Sequence, residues 1–329
     1  MKKIIIFILC IIIACFITSC DTSFFSHDGQ KVTVMIVGLD YSPRQKNLEG
    51  KPISLKWGSY TVGKLEGTIN DSKEIGAALS SLYEDKNVES EFIFMLSEGE
   101  SPEYSSPLYP TATNVITQIN NLKMDKDDLF VFYYAGHGFL EDKELYFITG
   151  DDHKGGFCTD LKASDLMSAI TNVGCRSAVI IDACYSGAFD PKNSTTPNTL
   201  MNSLKNIFKE KITVETGITM SVLAASKWNE KSLENYKVVF GDGRYEIHGH
   251  FSGRLLSALN WQHSLNTTTT IKNIDETEIV ANGYSKGMIG SLSLDDIYSM
   301  LFDQRDYPDL YQYPVLYCTN ESINLIPMN

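Results

Sequence analysis

Leu129-Phe-Val-Phe-Tyr-Tyr134 is an uncharged apolar and aromatic run that ends directly in Ala-Gly-His-Gly138. A run this short and this continuously apolar reads as a strand covered on both faces, the kind found inside a parallel sheet. A second such run, Ala178-Val-Ile-Ile181, opens into Asp182-Ala-Cys-Tyr-Ser-Gly187. Both motifs are therefore expected at the C-terminal ends of strands, where open α/β sheets gather ligands and reactive groups. One supplies His137 and the other, 47 residues later, Cys184. An imidazole and a thiol brought together are the minimum apparatus for thiol nucleophilic catalysis.

Outward from these two strands the chain alternates. Lys31 to Leu39 reads as a first strand, and Asp71 to Tyr83 has helical periodicity through Ile75, Leu79 and Leu82. Residues 91–96 read as a strand and 97–110, with three prolines, as a loop. A helix is expected over 111–122, a short strand over 145–148 and a helix over 163–173, before the strand that ends at Cys184. Alternating β and α of this kind points to an α/β fold with a mostly parallel central sheet flanked by helices. The polar segment 190–197 breaks the pattern and begins a surface linker, 191–217. Beyond it, 219–225 reads as a strand, and 252–261 and 294–302 as helices, while 264–286, with four successive threonines, fits no element. There is no GxGxxG after a strand and no phosphate-binding Walker loop, so no nucleotide cofactor is indicated.

The first residues read as targeting rather than fold. Lys2 and Lys3 precede an apolar stretch from Ile4 to Ile17, short for a spanning helix. It closes on Ile17-Thr-Ser-Cys20, which resembles the lipobox of bacterial lipoproteins. The resemblance implies removal of 1–19, lipid on Cys20, and a polar tether over 20–30. It makes the chain an exported bacterial lipoprotein held at the cell envelope, on the outer side of the cytoplasmic membrane or in an outer membrane, since two or more acyl chains anchor a protein stably. An ordinary signal peptide and an uncut anchor are the other readings. The net charge of −13 argues against nucleic acid as a partner and against adhesion to anionic headgroups. Of seven cysteines none forms a CxxC pair, which argues against a structural zinc site of that spacing. Cys158 and Cys175 are left as either a disulfide or a reduced pair.

A thiol attacks a carbonyl only as thiolate, so Cys184 needs a base. His137 can take its proton and later give it to the leaving amine. The N–H groups of Gly138 and Cys184 are candidates for an oxyanion site. The two motifs, together with Leu65-Glu-Gly-Thr-Ile-Asn-Asp71, Leu145-Tyr-Phe-Ile148, Val222-Leu-Ala-Ala-Ser226, Gly249-His-Phe-Ser252 and Tyr313-Pro314, stand in the order found in caspases and metacaspases. Over most of 31–318 the chain resembles that group of cysteine peptidases.

The resemblance implies the three-layer caspase-hemoglobinase fold, with a large-subunit-like catalytic part over 31–190, the linker 191–217, and a small-subunit-like part over 218–329. It implies a cysteine endopeptidase working through an acyl-thioester, with His137 and Cys184 as its dyad. Caspases carry a glutamine two residues before the cysteine and take aspartate at P1. Here that position is Asp182, as in metacaspases, and Asp71 matches their second acidic S1 residue. Two carboxylates favour a cationic P1 side chain and repel an acidic one. The implied substrate is thus a protein or peptide with Arg or Lys at P1. No cofactor is required, although calcium activation in metacaspases makes Asp151, Asp152, Asp160 and Asp190 candidate ligands. Lys192, Lys205, Lys209 and Lys211 offer self-cleavage sites in the linker. His248 and His250 alternate as strand residues do; part of a metal site is one reading, but without a third candidate ligand nearby they are expected to be an exposed pair. The alternative of a different class is a catalytically silent scaffold that keeps the fold as a binding module.

Overall fold

The computed structural model describes residues 30–326 except 100, 142–143, 154–155, 188–218, 228, 240–242, 244, 263–267, 273–277, 283, 286–291, 304–311 and 320. The chain runs through β1 (Val32–Leu39), the short pair β2 (Lys56–Trp57) and β3 (Tyr60–Thr61), α1 (Thr68–Asp85) and β4 (Ser90–Ser97). Then come α2 (Ala112–Asn121), β5 (Leu129–Ala135), β6 (Gly138–Glu141), β7 (Glu144–Asp151), β8 (Cys158–Lys162), α3 (Ala163–Val173) and β9 (Arg176–Asp182). After 188–218 follow β10 (Met220–Ala224), β11 (Glu234–Val239), β12 (Tyr245–Gly249), α4 (His250–Ala258) and β13 (Trp261–Gln262). The remaining elements are β14 (Thr268–Lys272), β15 (Glu278–Asn282), β16 (Tyr284–Ser285), α5 (Leu294–Asp303) and β17 (Val315–Cys318).

Six strands form the central sheet in the order β17-β10-β9-β5-β1-β4, parallel throughout except for β17 at one edge. Successive side chains of a strand point to opposite faces, and here both faces are covered. Met35, Val37, Phe130, Phe132, Val179 and Ile181 pack with α2 and α3 on one side. Val34, Ile36, Val131, Tyr133, Ala178 and Ile180 pack with α1, α4 and α5 on the other. That double burial is why β1, β5 and β9 are apolar without alternation, and it gives the three layers the sequence implied.

Local chemistry sets most element ends. The Thr111 side chain accepts from the Asn114 N–H at 3.2 Å and starts α2. Gly174, left-handed at φ 83°, ends α3. α1 starts three residues before its apolar periodicity predicts, because its first turn buries the polar Thr68, Asp71 and Ser72. The expected helix over 252–261 lies instead at 250–258, and Trp261 leaves it to pair with Ser285 in β13 and β16. The short strand expected at 145–148 is the middle of a longer one, β7, lengthened by pairing with β6 and β8. The threonine-rich stretch without an assignable form contains the β14–β15 antiparallel pair. Cys158 and Cys175 are both free, buried thiols. Among the described residues no helix is long and apolar enough to cross a membrane.

Candidate active site

β5 and β9 lie side by side, with Ala135 level with Asp182, so the two motifs leave the sheet at the same edge. The Gly136 N–H bonds the Asp182 carbonyl at 3.1 Å, which extends the pairing one residue beyond the strands. A cavity at this edge is lined by His137, Cys184, Asp71 and Asp182 together with Leu65, Ser232 and Gly249. Four residues expected at the site from sequence thus share one depression.

The backbone at His137 is held by tyrosines. Its N–H donates to the Tyr41 hydroxyl at 2.8 Å, and that hydroxyl donates to the Ile148 carbonyl at 2.6 Å. The Tyr134 hydroxyl lies 3.0 Å from the His137 carbonyl. The Tyr41 ring also lies 4.6 Å from the imidazole, centroid to centroid. On the imidazole, Nε2 lies 2.7 Å from the Gly63 carbonyl. A carbonyl only accepts, so Nε2 carries the proton and Nδ1 is left as the basic nitrogen. Burial lowers the His137 pKa below the ordinary imidazole value, with the Gly63 bond opposing.

Cys184 leaves β9 in a tight loop whose next residue, Tyr185, is left-handed at φ 59°. A tyrosine is strained there, and the surrounding bonds hold it: its N–H bonds the Glu230 carbonyl at 2.8 Å. The thiol of Cys184 donates to the Ser232 carbonyl at 3.6 Å. Burial pushes the thiol's pKa up, so its resting form is S–H. Gly138 packs against this loop so closely that a Cβ on it would stand 2.3 Å from the Cys184 carbonyl oxygen. Gly138 faces Phe147 as a pair without mutual hydrogen bonds, since the Ile148 N–H reaches the His137 carbonyl instead. The Gly138 N–H therefore turns away from β7.

Two buried carboxylates line the same cavity as the thiol. Asp182 accepts from the Ser232 and Ser252 hydroxyls, both at 2.6 Å, and from the Ser252 N–H at 3.3 Å. Asp71 accepts from His248 Nδ1 at 2.7 Å and from the Gly249 N–H at 2.9 Å. Gly249 lies between them: a Cβ there would come 2.5 Å from Asp182 Oδ2 and 3.2 Å from Asp71 Oδ2. Burial raises both acids, Asp71 to about 7 against the pull of His248, and Asp182 against its serine donors. Carboxylates raised by desolvation are those that a bound cation stabilises most.

Other expectations come out differently. His248 and His250 are not an exposed pair: His248 is wholly buried, because β12 packs on α1 and delivers its ring to Asp71. Asp151 is buried and already accepts from the hydroxyls of Tyr104 and Tyr109 and, at 3.4 Å, from Gln45. Asp160 stands exposed on β8, level with Ile148. These acids do not gather into a metal-holding group among the described residues, and the tyrosine donors make Asp151 a poor calcium ligand. Asp190, Cys20 and the four linker lysines lie outside the described residues. Sequence reasoning missed Ser232, Gln312 and the Gly63 carbonyl. Gln312 bonds both the Ser232 hydroxyl, at 3.1 Å, and the Leu233 N–H, at 2.9 Å, and fixes that loop over the thiol. A lone serine and glutamine in polar segments carry no sequence signal of such a role. The 249–252 motif did stand out, without its contacts.

Residues 53–191, which contain Asp71, His137, Asp182 and Cys184, match the family model described as "Metacaspase, peptidase C14 domain". Among solved structures, the crystal structure of protein GSU0716 from Geobacter sulfurreducens is similar with a TM-score of 0.48 and 17% identity, over 88% of this chain and 93% of that one. No curated protein matches the chain.

Proposed function

Residues 53–191 match the metacaspase peptidase C14 domain, and from that premise we propose that the chain is an endopeptidase of the caspase and metacaspase-like family, cleaving after Arg or Lys with Cys184 as nucleophile. The observation that carries this reading is that the thiol and His137 line one cavity together with two buried carboxylates. In the proposed reaction His137 Nδ1 accepts the Cys184 proton as sulfur attacks the scissile carbonyl carbon. The resulting oxyanion is met by the N–H groups of Gly138 and Cys184. Collapse breaks the C–N bond, the amine leaves with the proton from His137, and water then hydrolyses the thioester by the reverse proton path. The arginine or lysine head enters between Asp71 and Asp182, and Gly249 leaves the room for it.

Peptides differing only at P1 test the reading. Arg and Lys substrates are expected to be turned over and Asp substrates not; equal turnover of an Asp-P1 peptide overturns the specificity. The resting pair should also be neutral, a buried thiol beside a neutral imidazole. Its alkylation by iodoacetamide should therefore rise only on the alkaline side, as pH climbs through a thiol pKa raised above the ordinary 9.0. A rate plateau already present at pH 5 to 7 marks a preformed thiolate–imidazolium pair and contradicts this.

The same proposal places the enzyme at a bacterial cell envelope by lipid on Cys20, supported by the basic, apolar and Ile17–Cys20 pattern of its first residues. Palmitate labelling of the full chain, lost in Cys20→Ala, is the expected result; labelling that persists in the variant removes Cys20 as the anchor.

A further inference from the structure

We infer that Glu74, Glu246 and His248 form a binding site for a divalent transition metal of the zinc class, directly behind Asp71. The site does not depend on the peptidase reading. Asp71 and Glu74 are three apart on α1, so they share a helix face. Glu246 and His248 are two apart on β12, so they share a face of that strand. The Asn70 side chain, bonded to the Ile247 carbonyl at 3.2 Å, ties the two elements together. One ligand atom from each of Glu74, Glu246 and His248 lies within 4.8 Å of the others.

The spacing suits an ion better than a direct contact. His248 Nε2 and Glu246 Oε2 stand 3.9 Å apart, beyond hydrogen-bond length. Two ligand atoms each about 2.0–2.2 Å from a tetrahedral zinc are themselves about 3.3–3.6 Å apart, so the 3.9 Å pair has to close by only a few tenths of an ångström to hold one. The neighbours are arranged as around metal-bound groups. His248 gives its Nδ1 proton to Asp71 at 2.7 Å, which turns the Nε2 lone pair toward the glutamates. The Trp261 indole N–H donates to Glu74 Oε2 at 2.7 Å and orients that carboxylate. Asp71, Glu74 and Glu246 all place negative charge near the one imidazole, and the first two are almost fully buried.

The donor set decides the class. Calcium takes six to eight oxygens and has no use for an imidazole nitrogen. One imidazole with two carboxylates suits zinc or its neighbours, with a water in the fourth position. Glu246 is only partly buried and gives the ion a way in. A metal on Nε2 locks the His248 ring with its Nδ1 proton on Asp71, which fixes the carboxylate at the edge of the cavity.

The test is equilibrium dialysis of the full-length protein against buffered Zn²⁺, followed by metal analysis, in a Cys184→Ala background so that the thiol cannot bind zinc. One zinc per chain is expected, with a melting temperature that rises on loading. Glu246→Gln, at a partly buried position, and Glu74→Gln, which keeps the acceptor for Trp261, are each expected to weaken binding about tenfold or more. Both should melt near the parent's metal-free temperature. Less than about a tenth of an equivalent bound overturns the inference, as does binding that both variants leave unchanged. Calcium taken up in preference to zinc, and lost in Glu74→Gln, overturns the metal class.

Discussion

Cys184→Ala is expected to lower kcat on an Arg-P1 peptide on the order of 10⁵-fold, while the fold and the binding of that peptide persist. The side chain is half-buried in the lining of the cavity, and its thiol donates to the Ser232 carbonyl at 3.6 Å, a weak bond, so truncation disturbs little packing. His137→Ala should cost on the order of 10⁴-fold or more, because a thiol whose pKa burial has raised does not ionise at neutral pH without a base. The two losses should not add. Nucleophile and base act as a unit, so the double variant is expected to be no slower than the worse single one. Steady-state kinetics on the three variants measure this. More than about one per cent residual activity in Cys184→Ala sinks the assignment of the nucleophile, on a scale where a single such group carries several powers of ten. Failure of the wild-type thiol to take a cysteine-reactive peptide probe favours the silent scaffold instead.

Asp182→Asn is expected to cut kcat/KM for Arg-P1 peptides by about 10²-fold, the size of one lost charge-assisted hydrogen bond in a desolvated pocket. The substitution keeps shape and leaves the Ser232 and Ser252 hydroxyls a partner. A purely structural role for Asp182 predicts equal losses on charged and neutral substrates. The deciding quantity is therefore the ratio of Arg to citrulline turnover at P1, since citrulline is nearly isosteric and uncharged. That ratio should collapse toward one in the variant. An unchanged ratio removes Asp182 from recognition whatever happens to the absolute rates.

How much of this was legible beforehand differs between sheet and site. β1, β5 and β9 announce themselves because burial on both faces demands unbroken apolar runs, a demand every residue in the run meets locally. β11 and β12 do not: each is polar and pairs only with the other in a two-stranded sheet, so no apolar pattern marks them. Acidic residues are the hardest to place. Asp71 and Asp151 are both almost fully buried, yet one lines the cavity and the other is an acceptor for Tyr104 and Tyr109 well inside the large part of the chain. A carboxylate's neighbours come from distant segments, and nothing in its own segment names them.

By itself the sequence determined the layered α/β architecture and the position of His137 and Cys184 at strand C-terminal ends, because strand burial and glycine-bearing turns are written in consecutive residues. It also put Asp182 two residues before the thiol and singled out Asp71. Only the tertiary structure decided that these four share a cavity, that Ser232 and Gly249 shape it, and that a histidine expected at the surface is the buried partner of Asp71. That last bond joins residues 177 positions apart. Its formation depends on β12 closing over α1, and the free energy of that closure is spread over the whole core rather than carried by any motif.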